Sequence, residues 1–136
     1  MKDEELRQAL AVLDAYKAQL DSLSSQLQLL QMSLEEAVRA RDTLKAFAAA
    51  KVGDEIMVPI GASSFVFAQV ADTEKAVVGI GNRLSQERPL SDAVTYMDSN
   101  IEEIGEALKK ATEAGAELEN RARQLSAMIQ QEYQKQ

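Results

Sequence analysis

Two heptad repeats, one towards each end of the chain, constrain the fold more than any other feature of the sequence. In the first, leucine occupies one seam position throughout, at Leu6, Leu13, Leu20, Leu27 and Leu34. In the second, the corresponding position holds Val94, Ile101, Leu108, Gly115, Ala122 and Ile129. Apolar residues spaced about 3.5 positions apart keep one side of a helix facing a partner helix. The repeats therefore predict two long coiled-coil helices, over residues 1–51 and 89–136, with Pro89 in the first turn of the second.

The side-chain sizes in the two repeats predict how the helices pair. If the helices are antiparallel, residues whose numbers sum to about 138 meet across the seam. Leu23 then faces Gly115, and Leu27 faces Ala111, so that large side chains meet small ones in a narrow seam. Arg41 interrupts the first repeat, where it would set the register or pair with a neighbouring carboxylate.

The central segment, residues 52–88, has the composition of β-strands rather than of helix. Short β-branched and aromatic runs cover residues 56–60, 64–70 and 75–80, with turn-forming residues between them. A fourth, more polar strand over 83–88 would complete two consecutive β-hairpins. Pro59 cannot donate a ladder hydrogen bond, so its strand should lie at an edge or bulge there. Because the runs are apolar at consecutive positions, both faces need cover, and other subunits must supply it.

Composition excludes several classes of function. The net charge is −7 with both signs interspersed, so no basic stripe is available for nucleic acid or an anionic membrane. The sequence has no cysteine and no histidine, which removes disulfides, thiolate metal sites and the commonest general base. It also has no leader and no apolar run of about 20 residues that would span a bilayer. We therefore expect a cytoplasmic protein without catalytic residues, metal ligands or a cofactor.

Candidate catalytic motifs are weak. Gly79-Ile80-Gly81 resembles part of a phosphate-binding loop but lacks the third glycine and the following lysine, so a turn is the simpler interpretation. The paired carboxylates Glu35-Glu36 and Glu102-Glu103 lie on solvated helix faces without a histidine partner. They are interpreted as solubilising charge.

Apolar residues that the seam covers poorly, or that lie beside it, gather near the two ends of the chain. They are Leu6, Leu10, Val12, Met128 and Tyr133. One interpretation is that they thicken the seam or meet a neighbouring helical arm, since single exposed apolar side chains are ordinary. The other is a surface for apolar segments of another protein, which the adaptable methionine side chain would suit.

The chain resembles the prefoldin family in its order of helix, two β-hairpins and helix, and in the segment VGDEIMVPIG over residues 52–61. The resemblance continues through Ala62-Ser63-Ser64, Asp72-Thr73 and residues 77–81, and it covers the whole chain. Two hairpins rather than one match the archaeal α-type subunit of the family. After Gly81 the chain departs from the family, because the polar segment 82–88 replaces a strand rich in glycine and aromatic residues.

The resemblance implies an α+β fold: a long antiparallel coiled-coil helical hairpin whose two central β-hairpins join an oligomeric β-barrel body. It implies a molecular co-chaperone that works without ATP, as a holdase, within a hexamer of two α-type and four β-type prefoldin subunits. Such a protein captures unfolded proteins at its coiled-coil tips and delivers them to a group II chaperonin. A structural, filament-forming prefoldin-like protein remains the alternative.

The resemblance also divides the candidate residues between two roles. The client-binding tip would comprise Leu6, Leu10, Val12, Met128, Ile129 and Tyr133. The subunit-assembly surface would comprise Val58, Ile60, Phe65, Phe67, Val77 and Ile80.

Overall fold

The computed structural model describes residues 2–135, which form two long helices and four strands. In chain order these are α1 Asp3–Ala49, β1 Glu55–Gly61, β2 Ser64–Gln69, β3 Lys75–Gly81, β4 Leu84–Pro89 and α2 Leu90–Lys135. β1 pairs antiparallel with β2 (hairpin 1), and β3 pairs antiparallel with β4 (hairpin 2). The predicted combination of two long helices and two central β-hairpins is confirmed.

The described residues fall into two compact units. The helical unit combines the residues up to Ser33 with those from Ile104 onward, and the hairpin unit is Leu34–Glu103. Both helices contribute to both units.

Within the helical unit, α1 and α2 pack along a narrow seam. The Leu23 side chain lies so close to Gly115 that a Cβ added to this glycine would be 3.3 Å from Leu23 Cδ2. This contact confirms the predicted antiparallel register. The buried residues of the unit are Leu13, Ala111 and Ile129, at 8, 7 and 5 % exposure. Two helices alone bury a stripe of this kind rather than a closed core.

α1 ends two residues earlier than predicted, at Ala49 rather than Lys51. The Asp54 carboxylate accepts a hydrogen bond from the Lys51 amide at 2.8 Å, which draws this part of the backbone out of the helix. Gly53 follows with a φ of 93°, a left-handed conformation that glycine adopts without strain. Its amide donates to the Val70 carbonyl at 2.8 Å, so the end of the helix is tied to the end of hairpin 1.

The two hairpins have the same turn geometry. β3 begins twenty residues after β1, and β4 begins twenty residues after β2. Ala62 and Ser63 in hairpin 1, and Asn82 and Arg83 in hairpin 2, all have positive φ, between 51° and 61°. Two central residues of positive φ are the requirement of the type I′ turn, whose twist matches that of the flanking strands.

The hairpins also share a bulge in the first strand. The register of hairpin 1 shifts between Pro59 and Gly61, and that of hairpin 2 shifts between Gly79 and Gly81. The extra residue is Ile60 in hairpin 1 and Ile80 in hairpin 2. The prediction that Pro59 lies in an edge or bulged strand is confirmed.

α2 begins at Leu90, and Pro89 belongs to β4. Pro89 pairs with Lys75 at the end of the ladder, and the Leu90 amide donates to the Glu74 carbonyl at 2.8 Å. The prediction that Pro89 lies in the first turn of α2 is wrong, because the strand pairing continues up to it. A proline is tolerated at this end of an edge strand, where no ladder donor is required.

Asp72 fixes the connection into hairpin 2. Its Oδ1 accepts hydrogen bonds from the amides of Glu74 at 2.7 Å and Lys75 at 3.1 Å. The bond from Glu74 is the main cause that lowers the pKa of the Asp72 carboxyl below its ordinary value of 3.8. Since the folded state favours the carboxylate form, this turn is stabilised above that pH and loses the contribution as the pH falls through the lowered pKa.

The best-covered residues of the hairpin unit belong to hairpin 2 and the segments joined to it. Val70, Val78, Leu90 and Ala93 are 2, 2, 5 and 0 % exposed. Arg41 Nη1 lies 3.5 Å from Asp98 Oδ1, so the charge that interrupts the first heptad repeat pairs with a carboxylate of α2, as predicted.

Candidate assembly and client-binding surfaces

Hairpin 1 presents an apolar face to solvent. Met57 is paired with Phe67, and Pro59 is paired with Phe65, so these four side chains lie on one side of the hairpin and form what we call the apolar face. Met57, Phe65 and Phe67 are 61, 56 and 75 % exposed. Large aromatic and thioether side chains left this open in a single chain are typical of a protein–protein contact.

The second face of hairpin 1 is also incompletely covered. Val58 is paired with Val66, and both remain exposed, whereas Ile56 and Ala68 at the base of the hairpin are half-buried. The prediction from the sequence that both faces of this hairpin need cover agrees with the structure.

Hairpin 2 has a different distribution of side chains on its two faces. Its outward face, here the polar face, carries Lys75, Val77, Ser85 and Glu87, and Lys75 Nζ lies 3.3 Å from Glu87 Oε1. On the other face Val78 is buried. Hairpin 2 therefore presents both charge and the apolar side chains of Val77 and Leu84 to solvent, at 71 and 60 % exposure, and buries Val78 against its own chain.

The six residues predicted for assembly are all exposed, but they do not share one surface. Phe65 and Phe67 belong to the apolar face, Val58 to the opposite face of the same hairpin, and Val77 to the polar face of hairpin 2. Ile60 and Ile80 are the extra residues of the two bulges.

Met57 was not among the assembly residues predicted from the sequence. It is paired with Phe67 in the apolar face and is more exposed than Phe65. The sequence does contain the information needed to predict it, because side chains alternate along a strand and Met57 therefore lies on the same side as Pro59.

The residues predicted for client binding divide by burial. Leu10, Val12, Met128 and Tyr133 are exposed, between 37 and 54 %. Leu6 is half-buried. Ile129 is buried, at 5 % exposure, so it supports the neighbouring side chains from within the seam and presents little surface itself.

The four exposed residues lie on both flanks of the seam rather than in one patch. Leu10 and Val12 are two positions apart on α1, and residues at this spacing do not face the same direction on a helix. The buried seam residues Leu13 and Ile129 lie beside them. We call Leu10, Val12, Met128 and Tyr133 the flank residues.

An open groove lies in the helical unit on one side of the same seam. Its volume is about 400 Å³, and it is lined by Leu13, Lys17, Leu20, Glu119, Ala122, Arg123 and Ser126. Leucine and alanine form the apolar part, while Lys17, Glu119 and Arg123 supply charge. This groove was not predicted from the sequence, although the small Ala122 at a seam position indicates a gap there.

The described residues form neither a metal-binding group nor a membrane-spanning helix. Between residues 2 and 135, no group of histidine, cysteine, aspartate or glutamate side chains is arranged to hold a metal ion. Neither described helix contains a stretch long and apolar enough to cross a membrane.

A comparison with models of known protein families shows which family the chain belongs to. The family model described as "Prefoldin subunit" matches residues 16–135. The chain belongs to the prefoldin family. It is 34 % identical to the prefoldin subunit alpha of Pyrococcus horikoshii, over 88 % of this chain and 82 % of that protein. Prefoldin subunits are chaperones rather than enzymes, so the predicted class of function is confirmed.

Solved structures with the same fold are prefoldins as well. The chain is similar to filamentous PFD from Methanocaldococcus jannaschii, with a TM-score of 0.70 and 25 % identity over 90 % of this chain and 98 % of that one. It also shares its fold with the prefoldin beta subunit from Thermococcus strain KS-1, with a TM-score of 0.63 and 20 % identity over 93 % of this chain and 90 % of that one.

Proposed function

We propose that this prefoldin chain is an ATP-independent holdase subunit of the cytoplasm, which captures unfolded proteins and delivers them to a group II chaperonin. The observation that supports it most directly is the exposure of four apolar side chains, the flank residues, which lie beside the seam near the two ends of the chain. An unfolded chain exposes apolar segments of no fixed sequence, and small apolar patches bind such segments without selecting among them.

Capture by the flank residues is weak and reversible for each subunit. A contact that buries a few hundred Å² yields a gross free energy of about 25 cal/mol per Å². Most of this is offset by the ordering of the client and of the contacting side chains. Several subunits holding one client add affinity through effective concentration, so the assembly grips a client that one subunit would release.

Assembly is proposed to cover the apolar face of hairpin 1. In a hexamer with two α-type and four β-type subunits, the hairpins would join a β-barrel body in which Met57, Phe65 and Phe67 are buried. Supporting this are the open edges of both two-stranded sheets and the exposure of these side chains in the single chain.

A filament-forming structural protein is the second candidate. It is favoured by the similarity to filamentous PFD from Methanocaldococcus jannaschii. The two candidates differ in mass distribution, because a chaperone hexamer has one mass whereas a filament has an open range of lengths.

The capture proposal is tested by replacing the four flank residues with serine: Leu10→Ser, Val12→Ser, Met128→Ser and Tyr133→Ser. Light scattering would follow the aggregation of a chemically denatured client protein, with and without the variant. We expect suppression of aggregation to fall at least several-fold, because the apolar contact area is removed.

Leu29→Ser with Met32→Ser is the matched control. These residues are even more exposed, at 66 and 60 %, and they also lie in α1 of the helical unit. The control variant should suppress aggregation like the unsubstituted chain. Equal activity of the flank variant and the unsubstituted chain would show that clients bind elsewhere.

The assembly proposal is tested by Phe65→Ser combined with Phe67→Glu, which gives hairpin 1 the residues that hairpin 2 has at the equivalent positions. We expect the helical circular dichroism to persist while the oligomer is lost, alone or mixed with a β-type prefoldin subunit, leaving a species near 14.9 kDa. Sedimentation velocity measures this. An oligomer of unchanged mass would exclude the apolar face as the assembly surface.

A further inference from the structure

We propose that the open groove of the helical unit gives client capture a preference for charge: it binds an extended segment in which a carboxylate lies three residues from an apolar side chain. The apolar side chain contacts Leu10 and Tyr133, and the carboxylate lies beside Lys17. The inference rests on the proposed capture of unfolded proteins by the flank residues. Apolar contacts alone do not distinguish one client from another, so the preference comes from the charge.

The groove is continuous with two of the four flank residues. Lys17 lines the groove on α1, and Leu10 lies seven residues before it. Ser126 lines the groove on α2, and Tyr133 lies seven residues after it. Positions seven apart lie on the same side of a coiled-coil helix. Because the helices are antiparallel, both steps lead towards the ends of the chain, so Leu10 and Tyr133 stand together at one end of the groove.

The other two flank residues, Val12 and Met128, lie outside this continuation. The residues seven positions from them, Gln19 and Arg121, do not line the groove. The Arg121 guanidinium is paired with the Glu117 carboxylate of its own helix. The two flanks of the seam therefore differ in chemistry, and the groove belongs to the flank of Leu10.

The lining of the groove is apolar where it approaches the seam. Leu13 and Leu20 border it on α1, and the small side chains of Ala122 and Ser126 leave space opposite them on α2. Leu13 is buried, and the other three are half-buried. An apolar side chain of a client that enters this space removes apolar surface from water on both partners, which favours binding.

The charged residues of the lining favour an anionic client. Lys17 and Arg123 are positive and Glu119 is negative, which leaves one positive charge in excess. The Arg123 guanidinium lies 3.7 Å from the Glu119 carboxylate, whereas no ion pair among residues 2–135 includes Lys17. Asp14 and Asp21 lie on the side of Lys17 turned away from the seam and do not line the groove. In a chain of net charge −7, the groove is thus complementary to a carboxylate.

The separation of three residues follows from the dimensions of the two chains. From Leu10 to Lys17 the helix rises by about 10 Å. The polyproline II conformation is common in unfolded chains, and three of its residues advance about 9 Å and return the side chain to the same side. A client residue that contacts Leu10 and Tyr133 therefore has the side chain three positions away directed at Lys17.

The experiment measures the binding of three short fluorescent peptides to the full chain. Each peptide contains one leucine in a background of serine and glycine, and the residues three positions before and after the leucine are aspartate, asparagine or lysine. Fluorescence anisotropy at an ionic strength of about 0.1 M, where distant charges are screened beyond about 10 Å, gives the dissociation constants. We expect the aspartate peptide to bind about two- to fivefold more tightly than the asparagine peptide, as a solvent-exposed ion pair allows.

Substitutions of Lys17 test the source of the preference. Lys17→Gln should bring the ratio of the two dissociation constants close to one, and Lys17→Glu should make the lysine peptide the tighter ligand. Arg121→Gln is the matched control, because it changes the net charge of the chain as much as Lys17→Gln but lies outside the groove. It should leave the preference for aspartate unchanged.

Three results would overturn the inference. The first is equal binding of the aspartate and asparagine peptides to the unsubstituted chain. The second is a preference that Arg121→Gln removes as fully as Lys17→Gln, because the preference would then follow net charge. The third is a mass in sedimentation that rises with concentration without peptide and that Lys17→Glu keeps constant, because a second copy of the chain would then occupy the groove.

Capture itself is judged by a different variant. Leu10→Ser with Tyr133→Ser should weaken the binding of all three peptides, because the apolar contact is lost whatever the charge. Binding that this variant leaves unchanged, or no binding of any peptide to the unsubstituted chain, would contradict capture by the flank residues and the inference with it. Loss of the preference alone contradicts only the inference, so the two failures are distinguishable.

Discussion

Hairpin 1 and hairpin 2 have the same backbone plan and opposite environments. Both have a two-residue turn with positive φ and a bulge in the first strand, offset by twenty residues. Yet Val58 in hairpin 1 is exposed, whereas the equivalent Val78 in hairpin 2 is buried. Phe67 in hairpin 1 likewise occupies the position that Glu87 occupies in hairpin 2. Turn and bulge residues therefore determine the shape of such a hairpin, whereas the side chains on its faces determine what the hairpin can pack against.

The largest difference between the hairpins in the free energy of unfolding is expected when an aspartate replaces each of the two equivalent valines, Val58 and Val78. Val78→Asp puts an unpaired carboxylate in a buried position and should lower the free energy of unfolding by about 3–5 kcal/mol. Val58→Asp, at a partly exposed position, should lower it by less than about 1 kcal/mol and act mainly on assembly. Urea unfolding followed by circular dichroism measures both. Equal losses would mean that the two hairpins are not differently packed.

A smaller difference in the free energy of unfolding is expected when glycine is placed at equivalent positions of the two turns. Ala62 and Asn82 have φ of 51° and 53°, but asparagine tolerates the left-handed region better than alanine. Ala62→Gly should therefore raise the free energy of unfolding by about 0.5–1 kcal/mol, and Asn82→Gly should change it by less. Thermal unfolding measures the pair. A destabilising effect of Ala62→Gly would indicate that the alanine side chain makes contacts that outweigh its backbone strain.

The smallest effect is expected from the ion pair on the polar face. Since Lys75 and Glu87 are both more than half exposed, Glu87→Gln should lower the free energy of unfolding by at most about 0.5 kcal/mol. The difference from the unsubstituted chain should vanish in about 1 M salt, where the Debye length is near 3 Å. A larger, salt-independent loss would show that Glu87 stabilises hairpin 2 by something other than charge.

The helices and their pairing were predictable because they depend on local periodicity and on residue size. Apolar residues at heptad spacing specify a seam whatever the rest of the chain does, and Gly115 opposite a leucine fixes the register. Turn residues and the missing donor of Pro59 likewise located both hairpins and the bulge. These signals lie in short stretches of sequence.

Features that short stretches of sequence do not determine arise where distant residues compete for the same backbone group or surface. Pro89 is compatible with the first turn of a helix, but it belongs to β4 because it pairs with Lys75 of β3. The hydrogen bond from the Leu90 amide to the Glu74 carbonyl holds the strand end in place. Likewise, apolar residues near the ends of the chain are alike in sequence, and only packing separates buried Ile129 from exposed Met128.

The sequence by itself determined the helices, the strands, the seam register and the absence of residues for common catalytic chemistry, because these follow from composition and short-range periodicity. Only the tertiary structure decided which side chains share a face and which remain exposed. Val58 and Val78 show the reason: they are the same residue in the same local conformation, and burial differs because it depends on what the rest of the chain places against each of them.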